Sequence, residues 1–173
     1  MMPKVLDSFT NRQLQVYAAV CLKIFCEEMA IRHESIDRFI AHRVRLASSE
    51  FLPDWGEEGM ALELTGLGDD FPISLMHSIP VGVREVFRQM VENCSEVGYC
   101  DMYGADTGDP RKYAGECLRL LLAMSIAAPP TSPLEFDNRS GKRGDDAWGD
   151  PFTAEKLAGV TEFYSLRQGL VEG

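Results

Sequence analysis

Apolar residues recur at helical spacing along most of the chain, and the interruptions in that pattern divide it into elements. Thr10-Asn11-Arg12-Gln13 has the form of a capping box, with Gln13 placed to reach back to the Thr10 amide. Behind it Leu14, Tyr17, Ala18, Cys21, Phe25 and Met29 share one face, which Val16, Val20 and Ile24 widen, so a well-buried first helix is expected. Ser35 is placed to cap a second helix bearing Ile36, Phe39, Ile40, Val44 and Ala47, with Arg38, Arg43 and Arg45 assigned to its other face. The two form an αα-hairpin hinged near His33.

The helical period fails between Leu46 and Val83. Pro53, Gly56, Gly59, Gly66, Gly68 and Pro72 break this stretch too often for one long helix. Met60, Leu62 and Leu64 alternate with Ala61, Glu63 and Thr65, which permits one short strand or hairpin, and Phe71 to His77 fits a short helix. The period returns without a miss at Val83, Val86, Phe87, Met90, Val91, Cys94 and Val97. Asp109-Pro110 reads as an N-cap followed by proline in the first turn. The helix it opens, running to about Ala127, is apolar nearly all round and is expected at the centre of a bundle. Pro129 and Pro130 end it, residues 131–151 read as a Pro/Gly/Asp-rich loop, wrapping or mobile, and Thr153 is placed to cap a last short helix. The expected fold is mainly α: a single domain over residues 1–173, an irregular bundle of four to five helices with a loop-rich acidic insertion at 46–83.

Charge changes this picture more than composition does. The 173 residues are 45% hydrophobic and 25% charged, as in ordinary globular proteins. The net charge of −10 is unevenly placed: residues 1–45 carry +2, residues 46–110 carry −11, and residues 111–173 carry −1. Leu46 to Val83 has no Lys or Arg in thirty-eight residues, yet it holds Glu50, Asp54, Glu57, Glu58, Glu63, Asp69 and Asp70. Large apolar groups, Phe51 and Trp55 among them, lie between these carboxylates, whereas a disordered acidic tail would lack them. A folded acidic surface is expected. Such a field repels nucleic acid and anionic membrane and attracts cationic partners.

Chemistry signals are sparse. Gly66-Leu67-Gly68-Asp69-Asp70 lacks the lysine and hydroxyl of a phosphate loop and reads as a turn. Asp101, Asp106 and Asp109 match no calcium-loop spacing. His33, Glu34 and Asp37 are too few for zinc, and His42, among arginines, reads as part of a solvated face. The five cysteines form no CxxC pair, and with only three histidines no nucleophile–base pair suggests itself, so reduced thiols, a cytoplasmic setting, no metal and no cofactor are expected. The N-terminus lacks the apolar segment of a signal peptide, and Asn138-Arg139-Ser140 and Arg143-Gly144-Asp145 read as chance motifs.

The leading functional expectation is therefore a protein-binding module, not an enzyme, that occludes a basic partner such as a toxin or nuclease. Glu50, Phe51, Asp54, Trp55, Glu57, Glu58, Asp69 and Asp70 would form its surface, with Trp55 and Phe51 as exposed anchors. Small acidic bacterial immunity proteins have this general character, an analogy of class without a matched motif. The alternatives are a small-molecule-binding or enzymatic helical domain with a pocket near His77, Tyr99 and Tyr103, and a structural subunit of a larger assembly, which would leave apolar area exposed on the helix after Pro110.

Overall fold

The computed structural model describes residues 3–139 and 147–166; Ser140, the Arg-Gly-Asp tripeptide and part of the 131–151 loop lie outside the described residues. Among the described residues seven α-helices succeed one another: α1 (Asn11–Glu28), α2 (Glu34–Arg45), α3 (Leu52–Met60), α4 (Ile73–Ser78), α5 (Arg84–Tyr99), α6 (Asp109–Ala123) and α7 (Ala154–Phe163). Single 3₁₀ turns occur at Lys4–Ser8, Val81–Val83 and Ser132–Leu134, and there is no strand among the described residues. The mainly α class holds. The segment expected to alternate as a strand is instead the end of α3 and a turn, with Leu64 buried and Glu63 exposed.

The centre of the bundle is α1, not α6. Helices α1, α5 and α6 pack on one another, α2 lies against α1, and α3 lies against α2. Along α1 even Arg12, Gln13 and Gln15 are buried. Helix α6 is amphipathic, because Arg111, Lys112 and Arg119 turn its outer face to solvent while Ala114, Cys117, Leu118 and Leu121 face the core. The large hydrophobic that α6 leaves exposed is Leu122, at 39%. A smaller second core of Leu46, Trp55, Met102 and Trp148, flanked by Leu52 and Tyr99, sits beneath α3.

Helix starts follow local hydrogen-bond chemistry. Thr10 forms the capping box with Gln13, and its hydroxyl also donates to Asn138 Oδ1 at 3.1 Å. The Gln13 amide donates to the carbonyls of Leu134 (2.8 Å) and Phe136 (2.6 Å), so the cap also anchors the late loop. Thr10→Ala is expected to cost about 1–2 kcal/mol of stability, at the upper end for a cap because of that second bond, read as a lower urea midpoint at unchanged slope. At α2 the cap is His33 rather than Ser35: its Nδ1 accepts from the Ser35 amide (3.1 Å) while Nε2 faces Ser74 Oγ on α4 (3.0 Å). An imidazole nitrogen there replaces the expected serine oxygen. Asp109 is the first residue of α6, one place later than a cap, because Gly108 at φ 76° makes the turn into the helix.

Four of the five cysteines, Cys21, Cys26, Cys94 and Cys117, are buried and Cys100 is partly so; all five are free thiols. Burial pushes Cys26, Cys94 and Cys100 up to about 12. Thiols held protonated in this way are poor nucleophiles.

Candidate protein-binding surface

Helix α3 divides its residues cleanly between two faces. Leu52, Trp55, Gly56 and Gly59, spaced as i, i+3, i+4 and i+7, turn inward, and Trp55 is only 2% exposed. Asp54, Glu57 and Glu58 turn outward and are exposed, with Glu50 just before the helix. Phe51, at the N-cap, is 61% exposed, and Met60, at the last turn, is 53% exposed. Five of the eight expected surface residues (Glu50, Phe51, Asp54, Glu57, Glu58) are thus brought together on one short element. Asp69 and Asp70 reach the surface on a separate turn.

Trp55 is a correction to the expected surface. It is no exposed anchor, because its indole is stacked on the His42 ring at 4.4 Å and 17° and lies 5.2 Å from Tyr99. The pairing with His42 is reciprocal. Trp55 Nε1 donates to the His42 carbonyl at 2.7 Å, and His42 Nε2 donates to the Trp55 carbonyl at 2.7 Å. Tyr99 adds a bond from its hydroxyl to the Gly56 carbonyl (2.8 Å), and Arg45 pairs with Glu58 (2.9 Å) across the rim. Gly59 has no side chain where the Tyr99 hydroxyl and His42 Cε1 come closest to α3. Trp55 therefore positions the acidic face without belonging to it.

The residue behind this arrangement is Arg43, expected on a solvated face and found fully buried. Its Nη2 donates to the Thr65 carbonyl (2.7 Å) and to Ser95 Oγ (2.8 Å), and Nη1 donates to His42 Nδ1. Ser95 Oγ donates in turn to the same Thr65 carbonyl at 2.8 Å. The guanidinium lies 4.2 Å from the Phe39 ring centre, 5.3 Å from Tyr99 and 5.5 Å from Trp55, so aromatic faces do the work of a counter-ion. Burial lowers the guanidinium from its usual value to about 10. Thr65 carries the connection outward, because its hydroxyl donates to Asp69 Oδ2 (2.7 Å). Through adjacent residues, His42 and Arg43, α2 holds both α3 and the 65–70 turn.

His42, also expected in solvent, is 1% exposed. Its partners define its protonation: Nδ1 accepts from Arg43 and Nε2 donates to a carbonyl, which is the neutral Nε2–H tautomer. Burial, and then the Arg43 charge, hold the imidazole down at about 3.

The other expected chemistry resolves into structure. Asp101 is buried and accepts from the Thr107 amide (3.1 Å) and hydroxyl (2.8 Å), clasping the turn before α6. Among the described residues no group of three or more His, Cys, Asp or Glu side chains could hold a metal ion, and no helix is long and apolar enough to cross a membrane. His77, Tyr99 and Tyr103 do not enclose a pocket together: Tyr103 is 83% exposed and Tyr99 is committed to Gly56. A groove of about 690 Å³ lies elsewhere, between the end of α1 and the start of α2, with Cys26, Ile31, Ile36 and Ile40 as its floor.

Among the described residues, fold and site together give a mainly α fold that displays carboxylates on a short helix held by a buried His–Trp–Arg cluster. Comparison with protein-family models, with curated proteins and with solved structures returned no match.

Proposed function

We propose that the protein is a binding module whose α3 face occludes a basic protein partner, in the manner of an inhibitor or immunity protein acting on a nuclease or other toxin. The observation carrying this reading is the composition of that face: Asp54, Glu57 and Glu58 outward together, with Glu50 beside them and exposed Phe51 and Met60 at the two ends. Carboxylates offer a cationic surface complementary charge and raise the rate of encounter. The two apolar groups supply contact area that loses water on binding. The reciprocal bonds of Trp55 and His42 fix the helix beforehand, so less order has to be gained when the partner arrives. Asp69 and Asp70 extend the negative field from the neighbouring turn. A partner of this chemistry would be neither nucleic acid nor an anionic membrane.

The test is affinity capture from an extract of the producing cells, with bound proteins identified by mass spectrometry, comparing the native chain with the Asp54→Lys/Glu57→Lys variant. These two side chains are exposed and leave the Arg45–Glu58 pair intact, so the variant's unfolding free energy should stay within about 0.5 kcal/mol of the parent. The expected result is a basic protein retained at low ionic strength, released by salt, and bound at least about tenfold more weakly by the variant. Identical capture by both chains would rule the surface out.

A further inference from the structure

The contact that holds α3 depends on the protonation state of one ring. Both nitrogens of His42 are engaged, Nε2 as donor to the Trp55 carbonyl and Nδ1 as acceptor from Arg43 Nη1. A second proton on this ring would have to go to Nδ1, where it would meet an N–H of the buried Arg43 cation and not a lone pair. Neither nitrogen has a carboxylate partner that could offset the new charge. The charged and titratable groups around the ring are few. From α2 come Arg43 and Arg45, both cationic; from α3 comes Glu58, engaged with Arg45; from α5 comes Tyr99, whose hydroxyl is bonded to Gly56. The ring is stacked on Trp55, and its Cε1 faces Gly59 of α3.

We propose that His42 is an acid-operated latch: uptake of one solvent proton at Nδ1 breaks the α2–α3 contact and loosens the carboxylate face, so that a bound partner is released on acidification. The partner-release clause rests on the binding reading above; the latch itself does not. Protonation removes the Arg43–Nδ1 hydrogen bond and sets two cations side by side in a water-poor site. Opening α3 relieves both, because a solvated imidazolium is stable below about pH 6.5. With the folded-state value held at about 3, below the unfolded one, closure is at full strength above about pH 6.5 and weakens as pH falls from there toward 3. Each pH unit in that window raises the open-to-closed ratio of α3 about tenfold. Helices α1, α5 and α6 pack on one another through the main core and are expected to stay folded. A latch made by the Arg45–Glu58 pair would be abolished by Glu58→Gln, whereas one made by His42 would not.

The experiment uses the chain without a partner. Amide-exchange protection, corrected for intrinsic rates, is followed for α3 and for α5 between about pH 7 and 4, alongside the ¹⁵N shifts of the imidazoles. The expected result is an α3-specific loss of protection of about tenfold per pH unit below about pH 6, with α5 unchanged and His42 in its Nε2–H form while closed. His42→Gln keeps a donor for the Trp55 carbonyl but cannot take up a proton; it should flatten the dependence, and Glu58→Gln should leave it in place. Protection of α3 that is the same at both ends of the range overturns the proposal, as does an equal fall in His42→Gln. Should that variant fail to fold, the native ring decides, because an imidazolium signal from His42 with α3 still protected excludes the latch. Opening on this schedule in a chain that captures no basic protein at neutral pH would support the latch and sink the binding reading.

Discussion

Arg43→Ala is expected to lower the unfolding free energy by about 3–5 kcal/mol, measured by urea denaturation. The substitution empties a space enclosed by Phe39, Trp55 and Tyr99 and removes every donor that reaches Thr65, Ser95 and His42 from α2. The size of the effect comes mainly from the void and from His42 Nδ1, which is left buried without a partner. The Thr65 carbonyl loses less, since Ser95 still donates to it. Arg43→Met separates these contributions: it refills most of the volume without the hydrogen bonds and should cost about 1–3 kcal/mol. The Arg43 cation has no carboxylate partner in its hydrogen bonds, so no anion is stranded when it goes. Equal losses for Ala and Met would show that the hydrogen bonds, and not the packing, set the stability here.

Gly66→Ala is expected to cost about 2–4 kcal/mol by the same measurement. Gly66 sits at φ 69°, and a Cβ there would stand within 3.0 Å of Ser95 Oγ and of the Val91 carbonyl. The serine hydroxyl is the one that bridges Arg43 and Thr65, so the added methyl group disturbs the network that Arg43→Ala removes. The double variant should therefore lose less than the sum of the singles. Gly68 provides the control. It has a similar backbone, at φ 93°, but open space where its Cβ would go, so Gly68→Ala should show only the conformational cost of about 1 kcal/mol. A Gly66→Ala cost no larger than that at Gly68 would mean that α5 yields at Ser95.

The helices were legible wherever apolar spacing ran uninterrupted. The Thr10 box, the apolar face of α5 and the Thr153 cap all stand where the pattern places them, because local hydrogen bonding and one buried stripe suffice to define them. The site was legible only in part, and the two failures differ in kind. Arg43 carried its own signal: it lies seven residues after Ile36 and four after Phe39, in the middle of the stripe that also holds Ile40, Val44 and Ala47. Grouping it with Arg38 and Arg45 by charge overrode that spacing. A guanidinium surrounded by aromatic rings breaks the rule that buried charge needs opposite charge. Trp55 had a weaker signal, glycines at positions 56 and 59 that leave room for Tyr99 and His42, and this takes on meaning only once α2 and α5 are seen to pass beside it. Asp54, Glu57 and Glu58 were found through the one-sided charge of their segment, where no helix was expected, and α3 then puts them on one side. The centrality of α1 over α6 could not be read from hydropathy, because α1 buries its polar residues against backbone carbonyls: Arg12 meets Leu46, Ser49 and Gly149, and Gln15 meets Cys94.

Arg12 also imposes an order of events on a chain emerging from the ribosome. Its guanidinium, in the first turn of α1, donates to the Leu46 carbonyl (2.5 Å), the Ser49 carbonyl (2.8 Å) and the Gly149 carbonyl (3.2 Å). The neighbouring Asn11 amide donates to the Ala147 carbonyl (2.8 Å). Two of these acceptors are made more than a hundred residues after their donors. At a synthesis rate of about 5–20 residues per second, the start of the central helix waits several seconds or more for its last partners. During that interval the α1–α2 hairpin exists without its closing bolt, and nascent chains arrested before residue 147 should remain open to protease at their N-terminal end.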